Sequence, residues 1–265
     1  MQRRILNKWK QYKYRFVPWL ILNMKDRSVR SVSESESEVI SESLFISYLY
    51  GFLTKLHQQL NNGAEMEKYM TGLKVMKEIT GFTVERAPTS LSSGGQGVKV
   101  TSGTIQPCTI TSLYPGLIYE PHEPILFQSI GNSFIFRCAD GVLLDGNDKG
   151  LSKYLYRSCR GRDSCWPLPA CDDSWLTEHT ICPLNVGQYV NNHNKQYPAN
   201  VAYQEFNIPE DFPAHLRQYL PNNHSASCLS VPEGTQRLLR VVALVSLKEI
   251  KCGEELFSSY FTVVQ

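Results

Sequence analysis

The stretch EIKCGEELFSSY, residues 249–260, is the most informative piece of the chain. An apolar, β-branched run at 238–245 precedes it and reads as a strand. Gly253 sits in the charged turn between the two, Leu256 and Phe257 restore apolar character, and Tyr260 closes the block. On pattern alone Tyr260 is a buried tyrosine at the end of a strand. Short β-rich runs recur upstream at 98–100, 109–114, 133–138, 142–144 and 201–206, separated by Gly, Pro, Asn and Asp. That punctuation marks a strand-rich region from residue 87 onward.

Three further blocks precede the last one. The first is Gly95-Gln96-Gly97-Val98-Lys99-Val100, followed by Tyr114-Pro115-Gly116. The second runs from Phe134-Ile135-Phe136-Arg137-Cys138 to Leu144-Asp145-Gly146-Asn147. The third is Gly187-Gln188-Tyr189-Val190-Asn191-Asn192-His193-Asn194, then Ala199-Asn200-Val201. Each alone is weak, since a G-x-G recurs in ordinary turns. No Walker loop, G-x-S-x-G elbow or H-E-x-x-H pair is present, and the six histidines are scattered.

In this order and at these distances the blocks resemble the SET domain of protein lysine methyltransferases, over roughly residues 90–262. The resemblance implies an α+β, mostly β fold: small sheets with the C-terminal segment threaded as a pseudoknot, a known exception to unthreaded topology. It also implies transfer of a methyl group from S-adenosyl-L-methionine to the neutral amine of a lysine on a protein substrate, inside a narrow channel. A free lysine amine has a pKa of about 10.4 and must lose its proton to attack; a desolvated channel favours the neutral form. Tyr260 matches the family tyrosine that orients the methyl and the amine, and it also borders the cofactor. Gly95 and Gly97 let the backbone approach the methionine part of the cofactor. Asn191 matches the asparagine that meets the cofactor amino group, and Asn192 follows where backbone groups meet the adenine. A register with Asn192-His193 in that place competes; Tyr189, two before Asn191, favours the first. Tyr114 and Phe257 are candidate channel residues, with a core role for Tyr114 equally open.

The departures from the family pattern are specific. Gln96 replaces a common Trp, Gln188 replaces Arg, Asn192 stands where His is usual, and Ser258 replaces an aromatic. The cysteine-rich zinc segment that often follows the SET domain is not expected, so no metal ligand set is assigned and another part of the chain must close the channel. Cys159, Cys165, Cys171 and Cys182 lie in an insert, residues 147–186, read as irregular, at gaps wider than a zinc knuckle. The rival to an enzyme is a catalytically silent SET-fold module that binds another protein, since fold does not dictate function.

Upstream, 44–86 reads as a helical region. Leu44, Phe45, Tyr48, Leu49, Phe52, Leu53, Leu56 and Leu60 recur at steps of three and four, and a second helix ends at Gly81. Residues 31–43, SVSESESEVISES, read as a mobile Ser/Glu spacer. Within residues 1–30, positions 1–25 carry seven basic side chains and no acidic one, which leaves the remaining 240 residues at −5. Ile5, Trp9, Tyr12 and Phe16 make this a basic amphipathic segment at helical spacing. It reads equally as a mitochondrial transit peptide or as a surface helix packed by its aromatics; contact with nucleic acid or a membrane is a third use. An intracellular protein follows, mitochondrial on that segment and nuclear as the alternative. Composition agrees with a folded domain: 42% apolar, 20% charged, 17 Gly and 14 Pro exclude disordered, collagen-like and coiled-coil classes. Eight cysteines and no secretory signal point to free thiols rather than a disulfide scaffold.

Overall fold

The computed structural model describes residues 38–60, 62–92, 94–226 and 238–259, and the backbone of 12–14, 30–32 and 261–264. The outermost pieces are strands. β1 (Tyr12–Tyr14) pairs antiparallel with Phe261–Val264, and β2 (Arg30–Val32) lies parallel on the other side of the same strand. Both correct the sequence reading. Tyr-Lys-Tyr suits strand period as well as helical period, and aromatics favour a pleated partner where one exists. Residues 31–32 likewise belong to a sheet and not to a spacer.

The spacer reading fails again before the first helix. Gln204 accepts the N–H groups of Val39 and Ile40 at 3.0 and 3.1 Å and donates to the Ile40 carbonyl at 2.5 Å. Ser41 then accepts the Leu44 N–H, the usual N-cap bond, so α1 (Glu42–Gln59) starts inside the Ser/Glu run. Its buried stripe is Phe45, Leu49, Phe52, Leu53 and Leu56, with Phe45 stacked on Phe206 at 3.9 Å. α2 (Glu65–Thr80) ends at Gly81, whose φ of +78° is the left-handed stop that glycine takes cheaply. A third correction follows at once: β3 (Thr83–Pro88) is a strand, so the expected boundary at 86/87 cuts through it.

β3 forms a hairpin with β4 (Gln96–Ser102). After β5 (Thr104–Ile105), the strands β6 (Ile110–Tyr114) and β7 (Gly116–Tyr119) feed two different sheets. The short α3 (Leu126–Ser129), β8 (Ile135–Arg137) and β9 (Leu143–Asp145) follow. The insert then departs from expectation, because α4 (Gly150–Asp163) is a regular 14-residue helix. Its buried face is Ser152, Tyr156 and Cys159, too polar a set to show as an apolar stripe. Tyr156 meets Trp175 edge-on at 4.9 Å in a satellite core with Cys171 and Leu117.

β10 (Asn191–Asn192), β11 (Val201–Ile208), α5 (Ala214–Arg217), β12 (Asn222–His224) and β13 (Leu239–Ser246) lead to β14 (Ile250–Lys251), β15 (Phe257–Ser258) and β16 (Phe261–Val264). The larger sheets run β11-β13-β6 and β12-β7-β9-β8. The whole is α+β and strand-rich, and among the described residues no helix is long and apolar enough to cross a membrane. The described cysteines are free thiols.

The C-terminal segment is gripped on two sides. Gly253 and Leu256 donate N–H groups to the Val100 and Val98 carbonyls of β4, while β15 runs parallel to β10 with Asn191 beside Phe257. Asn200 locks it: its Nδ2 donates to the Glu255 carbonyl at 2.9 Å, and its Oδ1 accepts the Phe257 N–H at 2.8 Å.

Asp172, in the insert, is a buried carboxyl whose ionisation its surroundings oppose. It is 6% exposed, accepts the Ser174 N–H and the Asn185 amide, and burial pushes its pKa from 3.8 up to about 6. A raised carboxyl stabilises most below its unfolded pKa and loses that contribution as pH rises through the folded one. Stability should therefore fall by roughly 2–3 kcal/mol between pH 4 and pH 7 on account of this group. Thermal unfolding of Asp172→Asn should show a flatter profile across that window; parallel profiles would exclude Asp172 as the cause.

Candidate functional site

Glu255 organises the site. Only 5% exposed, its carboxylate accepts the Thr89 hydroxyl at 2.7 Å, the Ser90 N–H at 2.6 Å and the Asn191 amide at 3.1 Å. The β3–β4 turn is thereby tied to β10 through a side chain that arrives from the C-terminal segment. Gly97 is a consequence of that carboxylate: a Cβ there would lie 2.2 Å from Glu255 Oε1 and 3.3 Å from Asn191 Nδ2. Gly94 and Gly95 serve the turn itself, with φ of +71° and +104°. Asn191 Nδ2 also donates to the Gln96 carbonyl at 2.9 Å and to the Thr89 hydroxyl at 3.1 Å. Its two Nδ2 protons are shared among these three acceptors, and among the described residues Oδ1 is left as an acceptor.

A cavity of about 310 Å³ opens beside this knot. Gly95, Gln96 and Asn191 form one part of its lining, Ser133 and Phe134 a second, and Asp148, Lys149, Gln188 and Tyr189 a third, with Arg86 from β3. The Arg86 guanidinium lies over the Tyr189 ring at 4.4 Å and 3.8 Å from Asp148. Tyr189 donates to the same Asp148 carboxylate at 2.5 Å. Burial, and then the Asp148 carboxylate, push the Tyr189 phenol well above its ordinary range, so it stays a hydrogen-bond donor. Gln188 is 4% exposed, and among the described residues neither its Nε2 nor its Oε1 has a partner. The insert that sequence left shapeless thus supplies Asp148 and Lys149 to the wall.

Of the residues singled out in the sequence, Gly95 and Asn191 meet in this lining. Gly97 lies behind it against Glu255. Asn192 pairs with Ser258 in the β10–β15 ladder. Tyr114 is fully buried, donates to the Phe134 carbonyl at 2.7 Å and packs on Phe136 at 5.3 Å. Gly146 makes room for its ring, since a Cβ there would lie 2.8 Å from Tyr114 Cε1. Phe257 is 3% exposed and stacks on Tyr197 at 5.1 Å. Tyr260 lies outside the described residues. Glu255 was legible only as part of a motif, Tyr189 only as a register mark, and nothing near Arg86 in the sequence announces it.

One cluster away from the cavity brings possible metal ligands together. Cys138, Asp140 and Glu205 place ligand atoms within 4.8 Å of one another. The Arg240 guanidinium already occupies both carboxylates, at 2.6 and 3.0 Å, and serves there in place of a cation.

No protein-family model matches the chain. It is 42% identical over 298 aligned residues to SET domain-containing protein 9 of Homo sapiens, covering 99% of this chain and 98% of that one. The protein of the same name from Pongo abelii is 49% identical over 205 residues, covering 77% and 73%. Among solved structures, CpSET8 from Cryptosporidium aligns over 98% of this chain and 94% of its own at 15% identity and a TM-score of 0.37. A Plasmodium falciparum protein described as a putative histone methyltransferase aligns over 66% and 96%, at 13% identity and a TM-score of 0.30. These structural likenesses are too loose to bear on the site.

The close approach at Gly97 sets an expectation. Gly97→Ala should destabilise the fold by about 1–3 kcal/mol, because the new methyl must displace a buried carboxylate. Gly51→Ala, in the exposed part of α1 where a Cβ meets nothing within 4 Å, should instead stabilise by roughly 0.5–1 kcal/mol. Denaturant titration of both variants beside the wild type reads the difference, and equal stabilities would remove the steric account of Gly97.

Proposed function

The chain belongs to the SET domain-containing protein 9 family, and on that premise we propose that it is a protein lysine methyltransferase using S-adenosyl-L-methionine, with the cofactor in the cavity between the β3–β4 turn and β10. The observation that carries this reading is the convergence of separated motifs. Gly95 from the first block and Asn191 from the third line one cavity, and Glu255 from the last holds them together. The residues present suit such a ligand. Asn191 Oδ1 is an acceptor for its ammonium, and the unpartnered Gln188 amide offers a buried donor and a buried acceptor.

The bound cofactor supplies an electrophilic methyl carried on a sulfonium. The protein's part is alignment and desolvation. Asn191 fixes the amino-acid end, while the turn at Gly94 and Gly95 keeps the backbone close without a side chain between. Tyr260, by its place in the motif, orients the incoming lysine amine. The amine reacts neutral, so a dry channel that lowers its pKa contributes directly. No covalent enzyme intermediate is needed, and alignment of the two reactants provides most of the rate.

Calorimetric titration with S-adenosyl-L-methionine tests the cofactor assignment. Micromolar binding to wild type is expected, weakened by about 1–3 kcal/mol in Asn191→Ala, the cost of removing a polar partner from a buried ligand group. Equal affinity would move the ammonium away from Asn191. Tyr260→Phe should bind the cofactor as wild type does and lose methyl transfer to a protein lysine by orders of magnitude. Unchanged turnover there would take Tyr260 out of the mechanism, and folded wild type that binds no cofactor would favour a non-catalytic interaction module.

A further inference from the structure

The terminal torsion of an asparagine is broad, and a half-turn exchanges Oδ1 for Nδ2 with almost no change of shape. For Asn191 the two orientations are chemical opposites, one setting an acceptor toward a ligand and the other a donor. Its neighbours decide between them, and each is an acceptor. The Gln96 carbonyl, 2.9 Å from Nδ2, has no proton to give. Glu255 Oε1, at 3.1 Å, belongs to a carboxylate and has none either. Thr89 has one hydroxyl proton, and it goes to Glu255 at 2.7 Å. Its oxygen then accepts the Leu91 N–H at 3.2 Å and Asn191 Nδ2 at 3.1 Å. Glu255 thus acts on the amide twice, once directly and once by fixing the Thr89 proton. The Ser90 N–H, 2.6 Å from Oε2, pins the carboxylate in turn to the backbone. Asn191 Oδ1 has no partner among the described residues. Unlike the Gln188 amide atoms it is not shut off from open space, and its side chain lines the cavity.

We propose that Glu255 is a positioning residue for the amino group of the cofactor, acting through Asn191 by holding that amide with Oδ1 free for the ligand and Nδ2 turned away. This rests on the methyltransferase reading above. The assignment follows from what each orientation receives. The ligand's amino group is an ammonium, with protons to donate and no lone pair to accept with. Oδ1 bonds to it, whereas a reversed amide would set N–H donors against it. Glu255 lies behind the cavity lining and touches no ligand in this role. Its charge state is what matters, not its shape. In Glu255→Gln the Ser90 N–H keeps the side-chain oxygen, so Nε2 takes the place of Oε1 and meets Asn191 Nδ2 donor to donor. Asn191 relieves that contact by turning over.

S-adenosyl-L-methionine and its analogue lacking the α-amino group separate this proposal from the reading beneath it. Both are titrated calorimetrically into the full chain, as wild type and as Glu255→Gln. Wild type should prefer the amino-bearing ligand about tenfold. Glu255→Gln should abolish that preference by weakening the first ligand while leaving the second unchanged. In an Asn191→Ala background, where no amide remains to turn, the same exchange should have no further effect on the preference. A merely structural role would weaken both ligands together. That result, a preference surviving in Glu255→Gln, a further effect without Asn191, or a wild type indifferent to the amino group overturns the proposal while the methyltransferase reading stands. A second measurement needs no variant. By NMR of the ligand-free wild type, the Asn191 side-chain amide protons should exchange slowly with water, being bonded to Glu255, Thr89 and Gln96. Fast exchange there overturns the proposal even if Glu255→Gln does not fold. Folded wild type that binds neither ligand overturns both readings.

Discussion

A single buried carboxylate holds the candidate site together. Glu255 accepts from Thr89, Ser90 and Asn191, and so joins a hairpin turn, a short parallel ladder and the C-terminal segment that carries the glutamate itself. Such a carboxylate is tolerable in a protein interior only when donors surround it. Among the described residues the donors are a hydroxyl, a backbone N–H and an amide. Gly97 is the other half of the same constraint, because the carboxylate occupies the space a side chain would need.

The β-strands of the second half were legible because their runs alternate or stay apolar between clear turn-formers. β11 and β13 lie within two residues of where the sequence put them. The two long helices were legible for the same reason at a different period. What failed did so where local pattern and tertiary partner disagree. Residues 12–14 satisfy two periods, and the available partner strand selects one. α4 hides its buried face because Ser152 and Cys159 do not look like core. The run at 38–41 looks like solvated spacer until Gln204, some 160 residues away, supplies its backbone bonds.

The site was legible in part, and the division is physical. Gly95 and Asn191 belong to ordered motifs, and the fold brings them to one wall. Arg86 and Lys149 belong to none, since any exposed-looking arginine or lysine in a sequence is by default a solvated surface charge. Their place beside the cavity depends on the β3 register and on where α4 begins. Tyr114 belongs to a recognised motif and is also packed into the core, against Phe136 and in the space left by Gly146.

The position of residues 254–258 between β4 and β10 has a consequence for the order in which the protein is made. A chain leaving the ribosome exposes the turn at Gly95 and then the asparagine at 191 long before Glu255 appears. Neither can take its final place until then, because their shared acceptor has not been synthesised. The cavity therefore closes late, through contacts of very large sequence separation, and such contacts slow folding. Until that moment a growing chain holds an unclosed β4 edge and a half-formed pocket, and that interval is where a chaperone would find the most to protect.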